Sequence, residues 1–312
     1  METRQNRRRK KLRKGRVFFV LTILFTIGIV AFSTTQYWLG TQMSKEAKGL
    51  DMSFEEEFQG VKSSDSKVNV LLIGVDSRGE EQSRSDTMMI AQWDGKNDEI
   101  KLVSLMRDIY VDIPGYQSYK LNTAFYLNGP ELLRQTIKEN FDIDVEHYML
   151  IDFGAFEGMV DALAPNGVEI DVEKAMSEKI GVSLEPGRQK LNGKELLGYA
   201  RFRADEEGDF GRVNRQQKVI EAVKDHAVSL RGVMNTPKLL GVAQPYIQTN
   251  MTNTKQIEIM SRILLSGGAD VNRLTIPVEN GYWDASYPGV GSVLELDWEA
   301  NNAALKEFLD EK

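Results

Sequence analysis

Polar side chains interrupt the apolar sequence at three points, each of which includes an aspartate. The three segments are residues 74–78, 83–87 and 106–108. Asp76 and Asp86 have no His or Cys near them in the sequence, and paired carboxylates of this kind suit a hard cation. Mg²⁺ typically takes one or two carboxylates and completes its shell with water and phosphate. The pattern predicts a Mg²⁺ site, with Mn²⁺ as the alternative cation, or else a surface ion-pair network with Arg78, Arg84 and Arg107.

A second charged region contains four arginines within 15 residues. They are Arg201, Arg203, Arg212 and Arg215. Alternation of polar and apolar residues would place the first two on one side of an extended chain. The last two share one face of a predicted helix start with Gln216. Because a helix N-terminus disfavours cations, the pattern indicates a bound anion such as a phosphate, held by free N–H groups and forked guanidinium contacts. Solvated charge is the alternative interpretation.

The helix that follows these arginines becomes apolar on the same face. Val219 and Val223 come after Gln216 at helical spacing. A charged end above an apolar wall suits an amphiphile with a phosphate head and a hydrocarbon tail. Ordinary core packing against the rest of the domain is the alternative interpretation of this face.

The polar segments lie at the ends of predicted strands, within a pattern of alternating strands and helices. Strands are predicted at residues 67–75, 87–93, 100–106, 149–153, 168–172 and 273–278, and helices at 129–140, between the fourth and fifth strands, and at 213–230, 236–249, 254–266 and 297–310. Asp94-Gly95 predicts a hairpin between the second and third strands. If the first two strands are antiparallel neighbours, Asp76, Asp86 and Arg107 meet at one sheet edge, where open α/β sheets bind ligands. The alternation predicts an α/β fold with a mixed central sheet flanked by helices.

The first 38 residues have the composition of a membrane anchor. Residues 1–16 carry nine Lys and Arg and one Glu, whereas residues 17–38 carry no charge and end in Tyr37 and Trp38. About 20 apolar residues cross a bilayer core of ~30 Å, and a basic flank stays in the cytoplasm. The alternative is a cleaved signal peptide, but bulky residues follow where a cleavage site requires small ones. We expect a cytoplasmic tail at 1–16, one uncleaved transmembrane helix at 17–38, and the type II topology of a single-pass cell-membrane protein.

The chain after the predicted anchor has a different charge. Nine of the 39 Lys and Arg and one of the 46 Asp and Glu precede residue 17, so the remainder has a formal charge of −15. Nucleic-acid binding generally needs a basic surface, and we therefore expect no nucleic-acid partner. The chain has no Cys and two His, which excludes thiolate chemistry and disfavours a His-rich metal site. Residues 39–66 are polar and acid-rich and predict an extracellular stalk before one large domain at 67–312.

The charged motifs together resemble the LytR-CpsA-Psr family of cell-wall ligases. The matching segments are residues 69–78, 83–88, 104–108, 119–122, 199–203 and 209–217, which follow the family's order within a motif core at 67–233. The stretch from Gly281 to Trp298 is similar to the branch that attaches wall teichoic acid in Gram-positive bacteria. The resemblance implies that residues 67–312 form an extracellular catalytic domain.

The resemblance implies a phosphotransferase of the polyisoprenyl-teichoic acid–peptidoglycan teichoic acid transferase type. Proteins of this family move a glycopolymer from an undecaprenyl pyrophosphate carrier to a muramic acid hydroxyl of peptidoglycan and form a phosphodiester. The implied cofactor is Mg²⁺, and the implied partners are the carrier-linked glycopolymer, the peptidoglycan acceptor and the membrane bilayer. The prenyl tail is expected in an apolar pocket between the sheet and the helices.

The resemblance also implies a role for individual residues. Asp76 and Asp86 would hold Mg²⁺ on the pyrophosphate. The implied substrate-binding residues are Arg78, Arg84, Arg107, Lys120, Arg201, Arg203, Arg212, Arg215 and Gln216. The implied catalytic residues are Asp86, Arg107 and Asp209. Arginine would stabilise charge on the phosphoryl group, and the base that receives the acceptor's proton could be either Asp86 or Asp209.

Two other functions would use the same residues. A prenyl-pyrophosphate hydrolase would replace the sugar hydroxyl with water and release a free phosphorylated polymer. A non-enzymatic module at the cell surface would bind the lipid or regulate a partner without chemistry. A transcription regulator is disfavoured because the basic patch is confined to the short N-terminal tail, at residues 1–16.

Overall fold

The computed structural model describes residues 14–43, 52–62, 67–75, 85–97, 99–229, 237–238, 241–256, 258–259 and 271–310. Its helices are α1 (Lys14–Met43), α2 (Leu121–Phe141), α3 (Phe153–Leu163), α4 (Gly193–Arg201), α5 (Gly208–Val228) and α6 (Trp298–Asp310). Its strands are β1 (Lys67–Val75), β2 (Ser85–Asp94), β3 (Glu99–Leu105), β4 (Tyr110–Val111), β5 (Tyr119–Lys120), β6 (His147–Asp152), β7 (Val168–Val172), β8 (Gly187–Leu191), β9 (Ile247–Thr249), β10 (Val271–Ile276), β11 (Tyr282–Tyr287) and β12 (Gly291–Leu296). Three predicted site residues, Asp76, Arg78 and Arg84, lie outside the described residues, as do residues 1–13 of the predicted tail.

The central sheet has six strands in the order β10-β3-β2-β1-β6-β9. β2 is antiparallel to both β1 and β3, whereas β1 pairs in parallel with β6 and β3 with β10. The sheet is therefore mixed, as predicted. Gly74 lies opposite Thr87, and Met88 lies opposite Leu105. The end of β1, the start of β2 and the end of β3 consequently share one edge, which confirms the predicted strand geometry.

Helices cover both faces of this sheet. On one face, Leu71, Ile73 and Val75 of β1 belong to a buried apolar cluster that includes side chains of α2 and α6. On the other face, α3, α4 and α5 form a second apolar cluster with the β7–β8 ribbon, in which Leu196 and Val219 are buried. Full burial of one such side chain contributes about 1.5–3 kcal/mol. The result is the predicted α/β fold with a central mixed sheet flanked by helices.

Helix α5 is attached to the sheet by a polar contact as well as by packing. The Nε2 of Gln217 donates to the Oγ of Ser104 at 2.9 Å and to the Oγ1 of Thr275 at 3.1 Å. All three atoms lie on or against strands β3 and β10. Because buried polar groups need partners, these bonds fix the rotation of α5 and therefore the direction of its first turn.

Several local predictions differ from the structure. The helix predicted at 236–249 is wrong at its end, because residues 244–246 form a 3₁₀ turn and β9 follows. The segment 199–203 is not extended throughout, because α4 continues to Arg201 and the extended backbone begins at Phe202. Helix α2 begins eight residues before the predicted helix start and is broken at Asn128 and Gly129. These are positions where tertiary contacts override local pattern.

Residues 52–62, which fall within the predicted stalk, pack against the domain. The ring centroids of Phe54 and Phe125 are 5.9 Å apart, and those of Phe58 and Tyr148 are 4.9 Å apart. The backbone N–H of Val61 also donates to a carbonyl just before β6, at 2.8 Å. This segment is therefore a strap that runs across α2 and β6.

Helix α1 covers the segment predicted to cross the membrane. Its side chains are described from residue 26 onward. Within the part of the chain so described, no helix combines the length and apolarity needed to span a bilayer. The membrane anchor at 17–38 stays a prediction.

Candidate active site

Arg107 lies at the centre of the sheet edge and contacts three carboxylates. Its Nη1 donates to the Oδ1 of Asp86 at 2.7 Å. Its Nε is 3.3 Å from the Oδ2 of Asp108 and 3.2 Å from the Oδ2 of Asp209. Asp86 comes from the start of β2 and Asp209 from the first turn of α5. The structure therefore brings together the three residues predicted to be catalytic.

The carboxylates keep Arg107 charged. Burial opposes the charged form of the guanidinium, but the three neighbouring carboxylates outweigh burial, so the pKa of Arg107 lies above its ordinary value. An arginine held in this way is a permanent cation with a fixed planar fork of donors. It is suited to stabilising negative charge that develops on a phosphoryl group.

More charged side chains surround this centre. The charged cluster, as defined here, consists of Asp86, Arg107, Asp108, Lys120, Arg203, Asp209 and Arg212. Lys120 Nζ donates to Asp108 at 2.8 Å, and Arg203 Nη1 lies 3.9 Å from Asp209. The cluster has four cations and three carboxylates, so it carries excess positive charge and can accept an anion.

Arg212 is the buried cation of the cluster. It is 6 % exposed, and its Nη2 donates to the Oδ2 of Asp209 at 3.1 Å. Among the described residues, its Nε has no hydrogen-bond partner. Burial, opposed by the nearby Asp209, lowers the pKa of Arg212 below its ordinary value. A buried guanidinium with an unpaired donor is stabilised by an additional anion.

An apolar pocket lies between the sheet and helices α3, α4 and α5, and its empty volume is ≈ 770 Å³, which includes open solvent. Its apolar lining consists of Leu72, Ile73, Met89, Ile151, Phe153, Phe156, Leu197, Ala200, Val219 and Ile220. Thr87, Arg201 and Gln216 are its polar residues. Gly74 also lines it, and a Cβ there would come within 3.0 Å of Thr87 and 3.1 Å of Phe153. A glycine at this position therefore keeps the pocket open.

The apolar pocket and the charged cluster are adjacent. Gln216 Nε2 donates to Thr87 Oγ1 at 2.9 Å across the pocket. Thr87 follows Asp86 on β2, and Gln216 lies one turn after Arg212 on α5. Arg201 lines the pocket from α4, with its guanidinium carbon 5.4 Å from the centre of the Phe153 ring. The pocket therefore ends at the charged cluster.

Arg215 is directed away from the cluster. Its side chain is 2 % exposed, its Nη1 donates to the carbonyl of Phe202 at 3.0 Å, and its Nη2 pairs with Asp205. Asp205 also accepts from the backbone N–H of Gly208, whose φ of +53° starts α5 in a conformation that glycine adopts easily. Arg215 therefore holds the turn that carries Arg203. Its predicted role in substrate binding stays a prediction.

The carboxylate oxygens described at this edge could supply some, but not all, of the ligands of a hard cation. Asp86 is 34 % exposed, and its described contacts use only Oδ1, which leaves Oδ2 for a metal ion. Across the described ranges, no group of three or more His, Cys, Asp or Glu side chains could hold a metal. A Mg²⁺ ion here would depend on Asp86, on the predicted partner Asp76 and on oxygens of a phosphate substrate.

Sequence reasoning missed two residues of the site. Asp108 joins Arg107 to Lys120, and Thr87 anchors Gln216. Both lie within the polar segments that interrupt the predicted strands. Arg107 and Asp86, which directly precede them in the sequence, were predicted to be functional. This adjacency could have identified Asp108 and Thr87 as residues of the site.

Fold and site together define an α/β protein in which an apolar pocket ends at a cluster of arginines and carboxylates. A family model described as the LytR_cpsA_psr family matches residues 33–306. The match covers most of the chain, and the chain belongs to this family. The resemblance seen in the sequence motifs is thereby confirmed.

Characterised relatives and a solved structure are similar to most of the chain. The Regulatory protein MsrR of Staphylococcus aureus is 44% identical over 284 residues, which cover 91% of this chain and 86% of that protein. The Polyisoprenyl-teichoic acid--peptidoglycan teichoic acid transferase TagU of Enterococcus faecalis is 31% identical over 246 residues, covering 76% and 78%. A structure of TagT bound to LI-WTA is 25% identical, with a TM-score of 0.64, and covers 83% of this chain and 96% of that one.

Proposed function

We propose that this protein transfers an anionic cell-wall glycopolymer, a teichoic acid, from an undecaprenyl pyrophosphate carrier to peptidoglycan. The observation that carries the proposal is the apolar pocket that ends at the charged cluster, beside Asp86 and Arg212. A pyrophosphate lipid has the same arrangement, with a hydrocarbon chain next to two phosphates. Relatives named as teichoic acid transferases support the choice of polymer.

The reaction forms one phosphorus–oxygen bond and breaks another. A muramic acid hydroxyl attacks the phosphorus that carries the glycopolymer, and the bridging pyrophosphate bond breaks. Prenyl phosphate leaves, and a phosphodiester joins the polymer to peptidoglycan. The hydroxyl proton passes to a carboxylate, for which Asp86 and Asp209 are the candidates. Arg107 and Arg212 stabilise the charge on the phosphoryl and leaving groups.

Other cationic residues would bind the ground state of the donor. Arg201 and Gln216 lie where a lipid phosphate would leave the apolar pocket, and Arg203 lies beside Asp209 at the outer side of the cluster. In this proposal Asp86 and Asp76 would hold Mg²⁺, which when bound would neutralise pyrophosphate charge. The domain acts outside the cell, with the helix predicted at 17–38 as its anchor in the membrane that also contains the donor lipid.

Removing the Asp86 carboxylate tests the proposed metal site and transfer together. In Asp86→Ala, transfer of a synthetic prenyl-pyrophosphate-linked glycan to peptidoglycan oligomers should fall about 10²-fold or more, because a positioned electrostatic group is lost. Binding of the donor should also lose its dependence on Mg²⁺, measured by titration with and without the metal. Asp171→Ala, which removes an exposed carboxylate on β7, is the matched control and should leave both properties unchanged. Mg²⁺-dependent binding that persists in both Asp76→Ala and Asp86→Ala would contradict the metal site.

Filling the apolar pocket tests the proposed position of the lipid. Ile220→Trp introduces a larger side chain into the lining, so the apparent affinity for a long-chain prenyl donor should fall about tenfold, in line with the cost of overpacking a filled site. A donor with a short prenyl chain should lose less. Asp225→Trp adds the same side chain at an exposed position of α5 and should have no such effect. Equal loss for both chain lengths would place the hydrocarbon elsewhere.

A regulatory role is the second candidate function, and it is favoured by the name of the relative MsrR, Regulatory protein. In that case the protein would bind a pyrophosphate lipid at the same site without transferring the polymer. Product analysis separates the alternatives. Polymer joined to glycan indicates transfer, free phosphorylated polymer indicates a hydrolase, and unreacted donor that stays bound indicates a binding module.

A further inference from the structure

A second cavity lies on the other side of the first turn of α5. We name it the hairpin cleft, because the hairpin β11–β12 forms one wall and α5 and the end of β10 form the others. Its empty volume is ≈ 1490 Å³, which includes open solvent. The residues that line the hairpin cleft include Phe210, Asn214, Glu279, Tyr282, Trp283 and Asp284.

The hairpin cleft and the charged cluster share the first turn of α5, and a backbone hydrogen bond also links the cluster to the hairpin. On α5, Asp209 contacts Arg107, while the next residue, Phe210, lines the cleft. After β3, Asp108 contacts Arg107 through its side chain, and its carbonyl accepts from the backbone N–H of Leu294 in β12 at 2.9 Å. The first turn of α5 therefore contributes one residue to the charged cluster and the next residue to the cleft.

The cleft offers aromatic surface. The indole of Trp283 is 55 % exposed. Phe210 and Tyr282 also line the cleft, and their ring centroids are 5.2 Å apart. A single exposed aromatic residue is ordinary on a protein surface, but here the exposed ring lines a cavity together with two other aromatic residues. Such a surface matches a ligand with flat apolar faces.

The polar residues of the cleft select against an anionic ligand. Glu279 and Asp284 are hydrogen-bond acceptors with negative charge, and Asn214 offers both a donor and an acceptor. No lysine or arginine is among the described residues that line the cleft. The charge of the cleft is therefore opposite in sign to that of the charged cluster, which has excess positive charge. The cleft suits a neutral ligand with hydroxyl and amide groups, whereas a polymer of phosphates would be repelled.

We propose that the hairpin cleft binds the acceptor, as a chain of N-acetylated hexosamines whose sugar faces stack on Trp283 and whose hydroxyl and amide groups bond to Asn214 and Asp284. The inference rests on the proposed transfer to peptidoglycan and adds the place where the acceptor lies. An acceptor bound in the cleft would place its attacking hydroxyl on the side of Arg107 that faces Asp209. The anionic donor polymer then leaves the site by another route.

The test uses the full-length protein in detergent micelles, a synthetic prenyl-pyrophosphate-linked donor and an uncrosslinked N-acetylglucosamine–N-acetylmuramic acid tetrasaccharide whose lactyl carboxyl groups are amidated, so that the acceptor is neutral. Trp283→Ala should raise the KM for the tetrasaccharide about tenfold, because a central aromatic residue carries much of the affinity of a binding surface. The KM for the donor should stay unchanged. Trp283→Phe keeps a ring and should stay within about threefold of wild type for the tetrasaccharide. Tyr116→Ala, which removes another exposed aromatic residue, is the control.

A direct binding measurement separates this inference from the proposed function. The tetrasaccharide alone should change the tryptophan fluorescence of the wild type, and Trp283→Phe should abolish that change. If the wild type transfers polymer but Trp283→Ala keeps its KM for the tetrasaccharide, the acceptor inference is overturned while the proposed function stands. A raised KM for the donor would assign the cleft to the donor's sugars and would also overturn it. If no transfer occurs with any acceptor, the proposed function fails, and an absent fluorescence change then rejects the cleft as well.

Discussion

Arg107→Ala is expected to lower the rate of glycopolymer transfer about 10²–10³-fold, the usual effect of removing one preorganised donor from a charge-stabilising site. Arg107 is the side chain that contacts Asp86, Asp108 and Asp209 together. Without it, three carboxylates would face one another and repel the phosphates of the donor. The loss should appear in kcat/KM measured with the prenyl-pyrophosphate-linked donor.

The lysine variant separates geometry from charge at the same position. Arg107→Lys keeps the cation but loses the planar fork. A hydrogen bond to a charged group contributes about 1.5–3 kcal/mol, so transfer should slow by about one to two orders of magnitude. Arg203→Lys is expected to behave in the same way if its guanidinium also binds pyrophosphate oxygens.

Arg188→Lys is the matched control, because Arg188 is 78 % exposed and lies 3.5 Å from Glu169. An exposed pair of this kind contributes about 0–1 kcal/mol and tolerates the exchange. The melting temperature of each variant checks that the domain stays folded. Near-normal transfer by both Arg107→Lys and Arg203→Lys would mean that these arginines form a solvated ion-pair network.

Glu131→Gln is expected to destabilise the folded domain by about 3 kcal/mol, because it leaves a buried arginine without its counter-charge. Glu131 is 2 % exposed, and its two oxygens accept from Arg134 at 2.9 and 2.6 Å. The same carboxylate accepts from the backbone N–H of Gln59 at 2.8 Å and from Gln135 at 2.9 Å. Thermal unfolding of the full-length chain should show a melting temperature lower by roughly 10 °C.

The effect of Glu131→Gln should depend on pH in a defined direction. Burial tends to raise the pKa of Glu131, but the hydrogen bonds from Arg134, Gln59 and Gln135 outweigh burial and lower it. A carboxylate with a lowered folded-state pKa contributes stability that is complete above its unfolded pKa and is lost as the pH falls through the folded pKa. The difference in stability between wild type and variant should therefore be constant near neutral pH and shrink below about pH 4.3.

Glu169→Gln provides the control for this stability prediction. Its carboxylate is 59 % exposed and pairs only loosely with Arg188 at 3.5 Å. The change in the free energy of unfolding should stay below about 1 kcal/mol. If Glu131→Gln proves no more destabilising than Glu169→Gln, the strap formed by residues 52–62 is not held by Glu131.

The convergence of Asp86 and Arg107, which are proposed to be catalytic, could be predicted because it depends on short-range features. Asp94-Gly95 indicated the hairpin, and β2 and β3 pair around that turn. Because β2 and β3 are antiparallel, the start of β2 with Asp86 and the end of β3 before Arg107 come to one edge, and the end of β1 joins them as the antiparallel neighbour of β2. Helix α5 was visible from its apolar spacing, and the structure has it at Gly208–Val228.

Other parts of the site depend on contacts that local patterns do not encode. Arg215 shares a predicted helix face with Arg212, yet it bonds inward to Asp205 and to the carbonyl of Phe202. Helical spacing describes a face but does not say which neighbour that face meets. The β11–β12 hairpin was missed because Tyr282–Tyr287 lacks regular alternation of buried and exposed residues. Its position depends on pairing with Asp108 and on packing against Phe210.

The strap also limits how far the domain can reach. The end of α1 contacts the domain through Tyr37 and Gln244. Residues 52–62 are bound to α2 and β6, so residues 44–51 form the covalent connection between helix α1 and the domain. An extended chain spans at most ~3.3–3.6 Å per residue, so this connection allows at most about 30 Å of separation. If α1 is anchored in the membrane as proposed, this short connection keeps the domain close to the membrane surface. A domain held in this way would reach only the layer of the wall next to the membrane.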